Sequence, residues 1–130
     1  MNKTKTELHI ILGGLISAIY VILGAFGAHG LKPLLSEKQL NTCETGLRYM
    51  IIHALALILI NLVYTVTKKY SKWPNILFYV GLLFFSASLI IHATKDLIGI
   101  SVDVFALLAP IGGLAFVFGW LSFAHSIYKK

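Results

Sequence analysis

Four long stretches without a charged residue constrain this chain more than any other feature. They are rich in Leu, Ile, Val and Phe and cover residues 8–31, 49–67, 73–94 and 104–128. A helix of about 20 apolar residues crosses the ~30 Å hydrocarbon core of a bilayer, and each stretch is about that long or longer. The sequence therefore predicts an all-α membrane protein, a bundle of four transmembrane helices at about 8–29, 47–67, 74–94 and 104–126.

The overall composition agrees with this class. Of the 130 residues, 58% are hydrophobic and 12% are charged, which is about half the charged fraction of a typical soluble domain. The single cysteine, Cys43, excludes an internal disulfide. The basic residues behind the net charge of +6 lie at the ends of apolar stretches, where they favour lipid headgroups over nucleic acid. We therefore expect the lipid bilayer as a partner, no nucleic acid, and one integral membrane domain over 1–130.

The distribution of lysine and arginine predicts the orientation. With four crossings, the two termini and the loop near 68–72 share one side. That side carries seven basic residues, Lys3, Lys5, Lys68, Lys69, Lys72, Lys129 and Lys130. The other side carries four, Lys32, Lys38, Arg48 and Lys95. The excess of positive charge on the cytoplasmic side of membrane proteins then places both termini in the cytoplasm of a multi-pass plasma-membrane protein.

The segment after the first stretch has its own helical pattern. Ser36 can cap a helix, and Gln39 three residues later completes a capping box. An apolar residue then recurs at Leu40, Cys43 and Leu47. That spacing predicts a short amphipathic helix over about 37–45, lying along the membrane interface between transmembrane helices one and two.

Small residues mark the faces where helices can pack closely. In the first stretch they share one helical face with Tyr20, namely Gly13, Ser17, Gly24 and Gly27. In the fourth stretch the small residues are Ala109, Gly112, Gly113 and Gly119. Pro110 lies among them, and we expect it to kink that helix. Such spacing lets helices approach closely in lipid. A further close-contact face around Gly81 and Ser88 makes a homo-oligomer, or a contact with another membrane protein, an open possibility.

Histidines are the titratable side chains that lie well inside the apolar stretches. His29, His53 and His92 each fall towards the side opposite the termini. Three imidazoles in one layer could hold a metal ion, or two could ligate a haem. The alternative is that each is a neutral histidine bonded to a carbonyl or hydroxyl near the interface. His9 and His125 are expected at the other interface.

Polar groups of the second stretch offer two further interpretations. Tyr49, His53 and Tyr64 fall on nearly one helical face, with Asn61 beside it. They can hold helices together or line a narrow path through the membrane. No stretch contains a carboxylate, and the chain has no nucleotide-binding loop, serine-hydrolase elbow or zinc-protease motif. We therefore predict a non-enzymatic protein without a cofactor.

Three motifs in order resemble a known family. The first is Gly24-Ala25-Phe26-Gly27-Ala28-His29-Gly30, the second joins Gly46 and Tyr49 to His53, and the third runs from Pro110 through Gly112-Gly113 to Trp120. Together they resemble the small membrane family called domain of unknown function 423, or UPF0382. The resemblance covers nearly the whole chain, although His92 lies where this chain departs from the family pattern.

The resemblance implies a four-helix bacterial plasma-membrane protein with relatives in mitochondria. The biochemical activity of the family is not established, and some bacterial members look linked to membrane integrity and stress tolerance. We therefore expect a structural or regulatory role, in which the motif residues build a junction between helices one, two and four and His29 lies near Tyr49 and His53. The alternative is a small transporter or channel, or a metal- or haem-binding protein that uses His29, His53 and His92.

Overall fold

The computed structural model describes residues 3–100 and 104–129, so Lys130 and Asp103 lie outside the described residues. Helix α1 covers Lys3–Phe26 and continues as a π-helical turn over Gly27–Leu31. Helix α2 covers Glu37–Thr67. Helix α3 consists of Trp73–Gly81, a π-helical segment Leu82–Ala87, and Ser88–Thr94. Helix α4 covers Phe105–Tyr128.

These four helices are long and apolar enough to cross a membrane, which confirms the predicted fold class. Their antiparallel order gives the bundle two ends. The terminal end carries the start of α1, the end of α4 and the connection 68–72. The far end carries the connection 32–36 and residues 95–100, which follow α3. At the terminal end Lys68 closes α2 in the left-handed conformation (φ 60°), and at the far end Gly99 has a positive φ of 74°.

The start of α2 differs from the sequence prediction in one respect. The capping box is confirmed, because the Ser36 hydroxyl accepts from the Gln39 amide and the Gln39 side chain accepts from the Ser36 amide. The separate interfacial helix over 37–45 is not confirmed, because one unbroken helix runs from Glu37 to Thr67. No proline interrupts this segment, and Gly46 is held in a close contact with α3. At 1.5 Å per residue its 31 residues span about 46 Å, so the first turns extend beyond a ~30 Å hydrocarbon core.

The helices are packed unequally. Buried apolar side chains of α2, α3 and α4 form the main core, which includes Leu57, Ile60, Phe78 and Phe116. Helix α1 lies along α2 at the edge of the bundle. Only 6% of the residues in its apolar segment are buried within the protein, compared with 39% in the apolar segment of α2. The bundle is thus a three-helix core with a peripheral fourth helix.

Two π-helical segments were not predicted from the sequence. One ends α1 at Gly27–Leu31, and the other interrupts α3 at Leu82–Ala87. A π-helical turn inserts an extra residue into the helical register and often lies at a functional or tightly packed site. Helix α4, in contrast, is one continuous helix through Pro110. The kink at Pro110 stays a prediction.

Candidate functional site

The imidazole of His53 is the polar centre of the three-helix core. Its side chain is 3% exposed. Nδ1 lies 2.8 Å from the Tyr49 carbonyl oxygen, and Nε2 lies 3.2 Å from the Trp120 indole nitrogen. A carbonyl can only accept and an indole N–H can only donate. His53 is therefore the neutral tautomer with its proton on Nδ1, and both ring nitrogens are engaged.

Aromatic rings enclose this imidazole from three helices. Phe116 of α4 stacks on it with centroids 3.5 Å apart and planes at 13°. Phe78 of α3 meets it edge-on at 5.2 Å, and Tyr49 of α2 stacks at 6.0 Å. We call Tyr49, His53, Phe78, Phe116 and Trp120 the His53 cluster. Stacked and edge-on rings each add about 0.5–1.5 kcal/mol beyond simple burial, so the cluster ties α2, α3 and α4 together.

Glycines make room for close contact around the π-helical segment of α3. A Cβ added at Gly46 of α2 would lie 2.8 Å from the Ser86 carbonyl oxygen. A Cβ added at Gly112 of α4 would collide with the Phe85 backbone nitrogen. Gly119 faces the Phe78 ring, where a Cβ would lie 2.6 Å away. These contact glycines hold α3 between α2 and α4.

Two buried amides join α2 and α3 nearer the terminal end. The Asn61 amide nitrogen donates to the Asn75 side-chain oxygen at 2.8 Å and to the Leu57 carbonyl at 2.7 Å. The Asn75 nitrogen returns a bond to the Asn61 oxygen at 3.2 Å. Both side chains are almost completely buried. The amides therefore satisfy each other inside the protein.

Sequence reasoning missed several of these residues. Asn75 is polar within an apolar stretch, directly after Trp73-Pro74 at a helix start, and that position could have singled it out. The sequence places Tyr64 on a polar face, but it does not show that the Tyr64 hydroxyl lies 2.9 Å from the Ser126 hydroxyl of α4. His9, which is predicted at the interface, has a partner that the sequence does not show, because its Nδ1 lies 2.8 Å from the Tyr79 hydroxyl of α3.

The first motif does not join the second and third. His29 is exposed, Phe26 is 59% exposed, and the three atoms nearest a Cβ at Gly30 belong to the ring of Phe26. A Cβ at Gly24 or Gly27 would meet nothing within 4 Å. The observed His53 cluster unites α2, α3 and α4, and the junction of helix one with helices two and four stays a prediction.

The helix geometry explains this difference. Helix α1 reaches α2 through Gly13, where a Cβ would lie 2.7 Å from the Ala54 carbonyl oxygen. Ala54 follows His53 by one residue and so projects about 100° around the helix. The face of α2 that holds α1 is thus not the face that carries the His53 cluster. In the third motif, Gly113 lies beside the Phe85 ring, whereas Pro110 is exposed.

The three candidate metal ligands are separate in the structure. Among residues 3–100 and 104–129, no three His, Cys, Asp or Glu side chains lie close enough together to hold a metal ion. His29 is exposed at the end of α1, and His92 lies in the last turn of α3. Both nitrogens of His53 already have partners. The arrangement therefore does not bring the predicted imidazoles into one site.

The glycines of the first motif line a cavity at the far end. This cavity of about 470 Å³ lies between the end of α1 and the start of α2. Gly24 and Gly27 line it from α1, facing Leu47 and other residues of α2. Lys32, Glu44 and Arg48 also line it. The second and third motifs thus build a closed contact, whereas the first borders a space.

Comparison with known proteins adds the family. Residues 23–113 match the sequence model described as "Protein of unknown function (DUF423)". A UPF0382 membrane protein of Staphylococcus haemolyticus is 38% identical over 123 residues, 95% of this chain and 97% of its own. UPF0382 membrane proteins of Staphylococcus aureus and Haemophilus influenzae are 36% and 33% identical, over 95% and 94% of this chain and 97% and 94% of their own. No solved structure matches the chain.

Proposed function

Because this chain belongs to the DUF423 family of membrane proteins, also named UPF0382, we propose that it is a non-enzymatic structural or regulatory protein of the bacterial plasma membrane. Its role is to support membrane integrity, especially under stress. It performs this role as a folded bundle in contact with lipid and carries out no chemical reaction.

The observation that carries the proposal is the internal pairing of polar groups in the three-helix core. His53 donates from Nδ1 to the Tyr49 carbonyl and accepts at Nε2 from the Trp120 indole. The side chains of Asn61 and Asn75 hydrogen-bond to each other. A transport path or a reaction centre needs polar groups that face a substrate. In this core His53, Asn61 and Asn75 have protein partners instead, which is the pattern expected of groups that hold helices together.

The structural role can be tested by genetic complementation with a matched pair of variants. In a bacterium that lacks the gene, we expect more entry of a membrane-impermeant dye after osmotic shock than in the wild type. Phe116→Ala removes a ring that is 3% exposed, and Phe118→Ala removes one that is 54% exposed on the same helix. The role requires the packed core, so Phe118→Ala should restore the barrier and Phe116→Ala should not.

Measurements on purified protein separate this function from the alternatives. Proteoliposomes should show no more flux of ions or small solutes than empty liposomes, and the protein should show no Soret band and no stoichiometric metal. Solute flux above the liposome background would favour a transporter or channel. A Soret band or bound metal would favour a haem- or metal-binding protein.

Orientation belongs to the same proposal: both termini lie in the cytoplasm and the far end lies outside. The seven-to-four distribution of basic residues supports it. Lys5→Cys and Glu37→Cys, each combined with Cys43→Ser, place a single exposed thiol at either end. A membrane-impermeant thiol reagent should label intact cells of the second variant and not the first. The reverse result would invert the topology.

A further inference from the structure

We propose that the far-end cavity binds one monoanionic phospholipid, whose phosphate is held by Arg48 and Lys32 and whose upper chain runs from the cavity towards the membrane centre beside α1. This site is independent of the proposed function, because a structural protein and a transporter could each carry it. It also gives a role to the motif of α1, which the three-helix core leaves unused.

The depth of Arg48 in the bilayer agrees with a headgroup contact. Helix α2 ends at Thr67, followed by Lys68 and Lys69 at the terminal end. About 20 residues cross the hydrocarbon core, and counting that number back from Thr67 reaches Arg48. We therefore expect Arg48 near the far boundary of the hydrocarbon, where its long side chain can reach lipid phosphates.

The lining of the cavity is amphipathic. Tyr20 of α1 and Leu47 and Ile51 of α2 supply apolar wall, and Lys32 and Arg48 supply positive charge. Tyr20 and Ile51 line its part nearest the membrane centre, and Lys32 lies towards the far surface. Its volume of about 470 Å³ lies within the range of about 300–1,000 Å³ that is usual for sites of small ligands.

Glycine keeps the wall of α1 flat along this cavity. A side chain at Gly24 or Gly27 would meet no atom within 4 Å at its Cβ, so it would project into open space and not into α2. At Gly13, by contrast, the same helix touches α2 directly. Nearer the far end, Tyr20 and Leu23 of α1 still pack against a small core at the start of α2, so the glycines border a notch on one side of this contact.

The charges at the cavity favour an anion. Within residues 3–100 and 104–129, neither the Arg48 guanidinium nor the Lys32 ammonium takes part in a hydrogen bond or an ion pair, and both side chains are exposed. A guanidinium matches two phosphate oxygens in a bidentate pair. Glu44 is the carboxylate of the lining, so two cations and one anion leave a net charge of +1. A phospholipid with a single negative charge balances it.

Native mass spectrometry of the delipidated full-length protein tests the headgroup contact. We expect one dioleoyl phosphatidylglycerol to be retained, several-fold more than dioleoyl phosphatidylcholine at equal concentration. Replacing both cations, Arg48→Gln with Lys32→Gln, should lower the bound fraction about tenfold, as expected for loss of charged hydrogen bonds. Lys38→Gln, which removes an exposed far-end cation outside this cavity, should leave binding unchanged. Equal retention of the two lipids, or an unaffected double variant, would overturn the proposal.

A second pair of variants tests the location. Gly24→Leu fills the cavity, whereas Gly14→Leu places the same side chain on the exposed face of α1. Neither leucine meets a neighbour at its Cβ, so both variants should fold. Gly24→Leu should reduce phosphatidylglycerol retention about tenfold, and Gly14→Leu should retain it like the wild type. The same loss in both variants, or in neither, would place the lipid elsewhere.

Discussion

The first family motif uses glycine in the opposite way from the second and third motifs. Gly46 and Gly112 lie where the backbone of α3 comes so close that no side chain fits. Gly24 and Gly27 lie where nothing approaches, and they border a cavity instead. The same residue type therefore permits close packing in the three-helix core and preserves open space beside α1. A glycine motif in a membrane helix therefore does not by itself indicate a helix contact.

The largest expected effect comes from a contact glycine. Gly112→Leu would drive a side chain into the backbone of α3 at Phe85, so α3 and α4 would have to separate. Even one or two extra carbons in a packed core cost about 1–3 kcal/mol, and a leucine against backbone should cost at least that. We expect thermal melting in detergent to fall by many degrees or the bundle not to assemble. A wild-type melting temperature would mean that α3 and α4 are not in this contact.

The next effect distinguishes two histidines that the sequence grouped together. His53→Ala removes the stack on Phe116 and leaves the indole N–H of Trp120 without its acceptor. Leaving a hydrogen-bond donor unsatisfied away from water costs about 1–3 kcal/mol. His29 is exposed, so His29→Ala should change the free energy of unfolding by less than about 0.5 kcal/mol. Chemical denaturation of both variants in the same detergent gives the two values. Equal losses would favour the junction that the sequence predicts.

A comparable or somewhat smaller loss is expected at the amide pair. Asn75→Ala leaves the Asn61 oxygen without its donor in a buried position, although Asn61 keeps its bond to the Leu57 carbonyl. We expect about 1–2 kcal/mol of destabilisation. The double variant with Asn61→Ala should lose less than the sum of the two single variants, because the amides act as a pair. Strict additivity in the denaturation curves would argue against this pairing.

The smallest effect should come from the cavity glycines. Gly24→Ala adds a methyl group where no atom lies within 4 Å, and alanine favours the helix over glycine by about 1 kcal/mol. We therefore expect the melting temperature to stay the same or to rise slightly. Gly46→Ala is the matched change on α2, and it should destabilise because its Cβ would crowd the Ser86 carbonyl. If Gly24→Ala lost as much stability as Gly46→Ala, the distinction between cavity glycines and contact glycines would fail.

The sequence was sufficient for the four crossings because long uncharged stretches have few other solutions in a protein. The capping box at Ser36 could also be predicted, because it depends on residues three positions apart in the sequence. The separate helix over 37–45 was not confirmed, because the amphipathic stripe of Leu40, Cys43 and Leu47 equally fits the first turns of a longer helix.

The site was less predictable because it depends on which helix faces which. Tyr49 and His53 were recognised as one polar face, but one helix does not reveal its neighbour. The π-helical segment of α3 rotates the register between Gly81 and Ser88, and a regular 3.6-residue period does not anticipate that rotation. The pairing of Asn61 with Asn75 across two helices escaped prediction for the same reason.

If His53 holds α2 and α4 together, it must be energetically coupled to Trp120, and a double-mutant cycle measures that coupling. Trp120→Phe removes the donor while keeping a ring, and His53→Ala removes the acceptor. From chemical denaturation of the wild type, the two single variants and the double variant, we expect a coupling free energy of about 0.5–1.5 kcal/mol. A coupling indistinguishable from zero would contradict the account.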